Sequence, residues 1–222
     1  MRIAGVDPVP RHKTLAEDIY DRLRSAIMTG AVKPGEKISA RSVADSAKVS
    51  FTPAREAVAR LIAEGALELA GPKSVIVPTL TREALDEITK IRLNVEGMAA
   101  EAAAENLSKS DIKELEAIQK KYHRARTSHL FQESLIINED FHFKIYNACK
   151  MPRLIAFIES LWLQIGPSFN LFDTEGPLPE YPQEFHRDAI AGLHAGKGRQ
   201  VRKAIQDDIK FGYGRLRDLI DD

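Results

Sequence analysis

Apolar residues recur at every fourth position early in the chain, at Leu15, Ile19, Leu23 and Ile27, so they line one face of a helix. Gly30 and the Lys33-Pro34-Gly35 turn end it. Ser39 is placed to cap a second helix, with Val43, Ala44 and Ala47 facing inward; side chains this small let a neighbouring helix come close. Lys48-Val49 reads as a tight turn. Ser50 and Thr52 both suit the cap of a third helix, with Pro53 in its first turn, where a missing N–H costs nothing, and with Val58, Leu61 and Ile62 inward. Gly65 stops that helix. Leu67 and Leu69, the Gly71-Pro72-Lys73-Ser74 turn and Val75-Ile76-Val77 predict a hairpin with a lysine at its tip. Three short helices and a two-strand wing over residues 15–77 make a winged helix-turn-helix, and gene regulation becomes the leading reading.

Beyond Pro78 and Thr79 the pattern changes to long helices, expected at about 81–106, 109–128, 130–150, 152–172, 181–195 and 198–220. Gly176, Pro177, Pro179 and Pro182 mark the clearest internal break. Six helices with short connections imply an antiparallel bundle. The expected organisation is therefore mainly α, with a DNA-binding domain at 1–78 and an all-helical domain at 79–222.

Whole-chain charge is balanced, with 32 basic and 32 acidic residues, and carries no nucleic-acid signal by itself. Divided at Pro78, the first part holds 12 basic and 9 acidic side chains and the second 20 and 23, an asymmetry of the sign that DNA binding by the first part requires. Cys149 is the only cysteine, which excludes an intrachain disulfide and fits a reducing compartment. The first dozen residues hold Asp7 and two prolines and lack an apolar run, so no signal peptide is expected. The most apolar later stretch, 154–165, is short and contains Glu159. A soluble cytoplasmic protein with no membrane partner is the expectation.

Three segments carry a family resemblance: Ala31-Val32-Lys33-Pro34-Gly35-Glu36-Lys37-Ile38, Val49-Ser50-Phe51-Thr52-Pro53-Ala54-Arg55-Glu56-Ala57-Val58 and Leu61-Ile62-Ala63-Glu64-Gly65-Ala66-Leu67. In that order they resemble the amino-terminal domain of GntR-type bacterial transcription regulators. The chain departs from the family at Phe51, where an arginine is usual, and at Ser74, where the wing usually has glycine. A double-stranded DNA operator and a homodimer are implied. The start of a recognition helix enters the major groove, which places Thr52 and Arg55 against phosphate or base edges. Arg41 matches a family position that contacts DNA, and Lys73 is placed to reach a flanking groove. Phe51 suits either a thymine methyl or packing beneath the helix, with packing favoured.

Within the helical part, polar residues interrupt apolar stripes. Arg92 falls among Leu85, Ile88, Val95 and Ala99; Asn138 and His142 fall among Leu135, Ile145 and Cys149; His186 lies with Ala189, Ile190 and Leu193, and Asp208 with Val201 and Ile205. Buried polar groups need partners, and a metal ion or small anion would serve several at once. Arg92-Leu93 with Glu96, Asn138 with Phe141-His142, the Lys150-Met151-Pro152-Arg153-Leu154 turn and Glu184-Phe185-His186-Arg187 resemble the FCD effector domain of the FadR subgroup. Many FCD domains hold a divalent metal with one aspartate and three histidines. The resemblance implies a ligand set of Asn138, His142, His186 and Asp208, with Asn138 in the place of the aspartate and Asp208 in the place of the last histidine. Two imidazoles, a carboxylate and an amide oxygen suit zinc, nickel, manganese or iron at an open site. Arg92 needs an acceptor, either an internal one such as Glu96 or Asp140 or a small carboxylate effector beside the metal.

An enzyme is the alternative reading, because Glu139-Asp140-Phe141-His142 has the Glu-x-x-His spacing of di-iron helical bundles. Such a site needs a second copy of the motif, and this sequence has none. Neither a Gly-rich phosphate loop nor a nucleophile with its base is recognisable.

Overall fold

The computed structural model describes residues 13–71, 74–173 and 184–220. Helix α1 (Leu15–Met28) starts at Thr14, whose hydroxyl accepts the Glu17 N–H while the Glu17 carboxylate accepts the Thr14 N–H. Strand β1 (Lys37–Ile38) precedes α2 (Ala40–Ala47), which Ser39 caps by accepting the Ser42 N–H. Lys48 then adopts a left-handed conformation, φ 55°, and the Val49 N–H donates to the Ala44 carbonyl. That turn feeds α3 (Phe51–Ala63), with Ser50 at the N-cap position and Thr52 already inside the helix. Gly65, at φ +73°, ends the segment, and β2 (Glu68–Gly71) and β3 (Ser74–Ile76) form the wing. Ile19, Ile27, Ala54, Val58, Leu61 and Leu67 are buried between these elements.

Three details differ from the sequence expectation. The sheet has three strands in the order β1-β3-β2, with Lys37 opposite Ile76 and Ile38 opposite Val75. A two-residue strand has no periodicity to read. Ala47 is exposed, because an eight-residue helix brings only Val43 and Ala44 to the core. Phe51 is also exposed, at 45%, since it stands a full turn before the buried stripe begins at Ala54. Its packing role is thereby excluded.

The bundle comprises α4 (Arg82–Ala103), α5 (Lys109–Thr127), α6 (Phe131–Asn147), α7 (Pro152–Ile165), α8 (Glu184–His194) and α9 (Gly198–Leu219). The segment expected to be one helix over 152–172 changes to a 3-10 helix at Gly166–Asp173, where Pro167 lacks the N–H that an α-helix requires. Helix α9 packs along both α4 and α8, and α5 packs along α6. The expected break around residues 174–183 lies outside the described residues.

Helix α1 docks directly on the bundle. Its last carbonyls lack intrahelical partners, and bundle side chains supply them: Gln132 Nε2 donates to the Thr29 carbonyl at 3.0 Å and Asn170 Nδ2 to that of Gly30 at 2.9 Å. Arg24 meets Glu159 of α7 at 2.8 Å. Backbone approaches backbone at Gly166, where an added Cβ would stand 2.4 Å from the Ile27 carbonyl oxygen and 2.6 Å from Met28 Cα. Gly166→Ala should therefore cost about 1–3 kcal/mol of stability. Gly214→Ala, where a Cβ meets nothing within 4 Å, should be neutral or stabilise by less than about 1 kcal/mol. Urea melts of the two variants check this; equal midpoints would mean that α1 and the bundle are not held at this contact.

Candidate functional site

His142 on α6, His186 on α8 and Asp208 on α9 converge in the bundle interior, with one potential donor atom from each within 4.8 Å of the others. All three are nearly sealed from solvent, at 1%, 2% and 6% exposure. Periodicity explains the convergence: each residue sits on the inward stripe of its helix, beside Ile145, Ala189 and Ile205 respectively. Ring contacts fix the orientations, with the His186 imidazole stacked 3.9 Å from the Phe141 ring and that of His142 5.5 Å from the Trp162 ring. Asn138, one turn before His142, lines the same cavity.

Hydrogen bonds select the tautomers. His186 Nδ1 lies 2.6 Å from Gln119 Oε1, an oxygen that only accepts, so Nδ1 carries the proton and the Nε2 lone pair is left inward. Nε2 has no partner among the described residues and stands 4.0 Å from Asp208 Oδ1. Burial holds this imidazole neutral, its pKa pushed down to about 3 although Asp208 pulls the other way and His142 adds to the lowering. Tyr146 donates its O–H to Glu96 Oε2 at 2.6 Å, so it accepts from His142 Nδ1 at 3.0 Å. His142 Nε2 faces Asp208 Oδ2 at 3.2 Å. The His186 Nε2 lone pair has no partner among the described residues, and a cation between the two rings and Asp208 would satisfy it. The residues present fit a divalent metal: two imidazoles and a carboxylate converge, the second ring nitrogens are tied back to Gln119 and Tyr146, and the donor atoms lie within 4.8 Å of one another.

Arg92 belongs to the same network. Its Nε meets Glu96 Oε1 at 2.5 Å and its Nη2 meets Oε2 at 3.3 Å, both groups being buried. Burial works against the guanidinium charge, but the Glu96 carboxylate more than offsets it and keeps Arg92 firmly protonated. Burial and the same carboxylate hold the Tyr146 phenol well above its usual range. Of the two internal acceptors considered for Arg92, Glu96 is the one found, and Asp140 points outward as an exposed residue. Arg92 also lies over the Trp162 ring at 5.1 Å. A cavity of about 70 Å³ brings together Arg92, Asn138, His142, Trp162 and Asp208, with Phe131, Ile165, Phe169 and Phe172 among its apolar walls.

Gln119, Tyr146 and Trp162 were not singled out by the sequence reading. Gln119 interrupts the apolar stripe of Ile112, Leu115 and Tyr122, and Tyr146 follows His142 by four residues, so both had a positional signal. Trp162 reads as an ordinary core residue. On the other domain, Arg41, Thr52 and Arg55 are all exposed, the last two within the first turns of α3. Arg60 on the same helix is used internally, stacked 3.6 Å over Tyr20 and bonded to Glu64. Lys73 lies outside the described residues.

Comparison with known proteins agrees with this geometry. Residues 15–77 match the model of the bacterial regulatory proteins of the gntR family, and residues 87–211 match the FCD domain. The chain belongs to the GntR family of regulators with an FCD domain. The HTH-type transcriptional regulator McbR of Escherichia coli (strain K12) is 32% identical over 200 residues, covering 89% of this chain and 90% of that protein. The solved E. coli McbR/YncC structure superposes with a TM-score of 0.87 at 28% identity, covering 92% of this chain and 98% of that one. A GntR regulator from Rhodococcus sp. RHA1 shares the fold, with a TM-score of 0.70 at 18% identity over 90% of this chain and 96% of that one. This GntR–FCD protein is a ligand-responsive, DNA-binding transcription regulator and not an enzyme.

Replacing His186 by alanine removes one lone pair of the cluster, so the variant should bind less divalent metal and gain less thermal stability from added zinc or nickel than the parent, because ligand stabilises the folded state by mass action. Elemental analysis and thermal shift check it. A parent that takes up no metal and shows no shift would leave the histidines as core residues.

Proposed function

We propose that the protein is a homodimeric, cytoplasmic regulator, with a DNA-binding unit at 1–78 and an effector unit at 79–222, that releases a pseudo-palindromic operator when a small organic acid enters the bundle. The observation that carries this reading is the buried cluster of His142, His186 and Asp208 beside Arg92. Arg92 and Glu96 neutralise one another, and the two imidazoles and the Asp208 carboxylate form a donor set that favours a cation, while Arg126 and Arg215 also line the cavity. A divalent ion would add positive charge there and favour a carboxylate next to it; when bound it would supply a Lewis-acidic site for the ligand's oxygens. His142, His186 and Asp208 would hold the ion, with Asn138 offering an amide oxygen, and the donors of Arg92 not engaged by Glu96 would meet the acid. Among the described residues no helix is long and apolar enough to cross a membrane.

On the DNA side, Arg55 would grip a guanine edge or a phosphate, Thr52 and Arg41 would contact the flanking backbone, and Lys73 would approach an adjacent groove. Phe51, being exposed at the first residue of α3, would meet a thymine methyl. Arg55→Ala should weaken binding to an operator selected from random DNA by roughly 5- to 150-fold, the range of one bidentate base contact, with an unchanged melting temperature. Anisotropy titration at fixed salt reads this. Parent-like affinity in the variant would remove α3 from the major groove.

Effector coupling is tested on the same operator. A metal-loaded protein should lose about 5- to 150-fold in operator affinity when saturated with the acid that fits, and chelator-stripped protein should lose the response. An equal response with and without metal would separate the acid from the three-residue cluster. Arg92→Ala is a poor probe here, because it strands Glu96 as a buried unpaired charge at a cost of about 3–5 kcal/mol.

A further inference from the structure

The end of α9 is built unlike its body. Gly212 and Gly214 lie inside the helix, where glycine costs stability relative to alanine, yet a Cβ at either position would meet nothing within 4 Å. Packing does demand glycine elsewhere in the bundle: at Gly192 a Cβ would stand 2.9 Å from Val201 Cγ2. Room for a ligand does not explain the pair either, since Gly212 lines the cavity and Gly214 does not. The two glycines separate two hydrophobic clusters. Val201, Ala204, Ile205 and Ile209 belong to the main core, whereas Leu216 and Ile220 pack with Leu85 and Ile165 in a small cluster of their own. Polar groups fasten this last segment to α4: the Tyr213 hydroxyl donates to Asp86 Oδ1 at 2.8 Å, Arg217 Nε to the same oxygen at 3.2 Å, and Arg82 Nε to the Ile220 carbonyl at 2.8 Å.

We propose that residues 213–220 form a lid on the bundle cavity, which lifts by unwinding at Gly212 and Gly214 and is latched shut by Asp86. For what the lid encloses, the inference rests on the reading of His142, His186 and Asp208 as a metal-binding cluster. Asp208 and Ile209 line the cavity from before the glycines, and Tyr213, Arg215 and Leu216 line it from beyond them, so the cavity spans the junction. Lifting the segment opens that wall. With His142, His186 and Asp208 exposed by 6% or less, the entry and exit of an occupant depend on a part of the wall that can move. Within 213–220 only Leu216 and Ile220 are buried. A segment with so little buried apolar surface opens at lower cost than the core of the same fold.

Amide hydrogen exchange on the metal-free full chain reads the opening. Amides of residues 215–220 should exchange as one unit, with a shared protection well below that of residues 204–209 on the same helix. Gly214→Ala should raise that shared protection about fivefold, the preference of alanine over glycine in a helix, and Asp86→Ala should lower it roughly 2- to 10-fold, the range of one hydrogen bond. Protection that falls residue by residue toward Ile220 is ordinary fraying and would overturn the lid, and that pattern is read on the parent alone. So would a shared protection that neither substitution moves. On the zinc-loaded chain, release of the ion to a chelator should be slowed about fivefold by Gly214→Ala and hastened by Asp86→Ala, with zinc affinity unchanged, because neither residue touches the cluster. Equal release rates in all three proteins would overturn the lid as the route to the cluster. A parent that takes up no zinc would overturn the metal reading alone, and the exchange pattern would still decide the lid.

Discussion

Everything in the bundle interior depends on Glu96, a carboxylate with no exposed surface. Two donors hold it: the Arg92 fork from one turn earlier on α4, and the Tyr146 hydroxyl from α6. A buried ion pair seldom adds net stability, because desolvating both charges costs about what their attraction returns. Its value here is positional. Once the Tyr146 proton is committed to Glu96, the phenol oxygen can only accept, which places a His142 proton on Nδ1 and turns Nε2 toward Asp208. A single carboxylate on α4 thus orients His142, the member of the cluster carried by α6. On the far side, Gln119 does the same for His186 from α5.

This dependence sets what the sequence could disclose. Helix positions followed from apolar spacing, because a stripe that faces a core must repeat with the helical period, and the three-helix module carried further markers in the Ser39 cap and the Gly65 stop. Inward polar residues were legible by the same logic: Arg92, His142, His186 and Asp208 stood out because each breaks an apolar stripe. Their mutual arrangement was not legible. Which acceptor Arg92 takes is decided by the rotation of α4 against α6, and Glu96 and Asp140 are both acidic residues at plausible spacing. Trp162 was invisible for a different reason, since its surface is mostly apolar and only the absence of a partner for one nitrogen distinguishes it from a core residue. Phe51 and Ala47 were misread because periodicity describes a helix face and not where the core beneath that face ends.

The remaining link is between the cavity and DNA, and it runs through short segments with two faces. Phe131 lines the cavity, and its neighbour Gln132 bonds the Thr29 carbonyl; Phe169 lines it, and its neighbour Asn170 bonds the Gly30 carbonyl; Ile165 lines it, and its neighbour Gly166 packs against the backbone of Ile27 and Met28. All three contacts fall on the C-terminal end of α1. That helix packs in turn along α3, which carries Thr52 and Arg55. A ligand that shifts the aromatic wall therefore moves groups bonded directly to α1, with one helix between them and the recognition surface. Contiguity alone does not make an allosteric path; a ligand changes DNA affinity only if it binds one arrangement better than another. The α1 junction supplies the structural half of that requirement, because buried apolar residues of α1 and of the bundle belong to one continuous cluster while polar bonds at the helix end fix its register. Two amide–carbonyl bonds, the Arg24–Glu159 ion pair and the close backbone packing at Gly166 set the register of that joint, and a ligand that binds one register better by about a few kcal/mol would redistribute it.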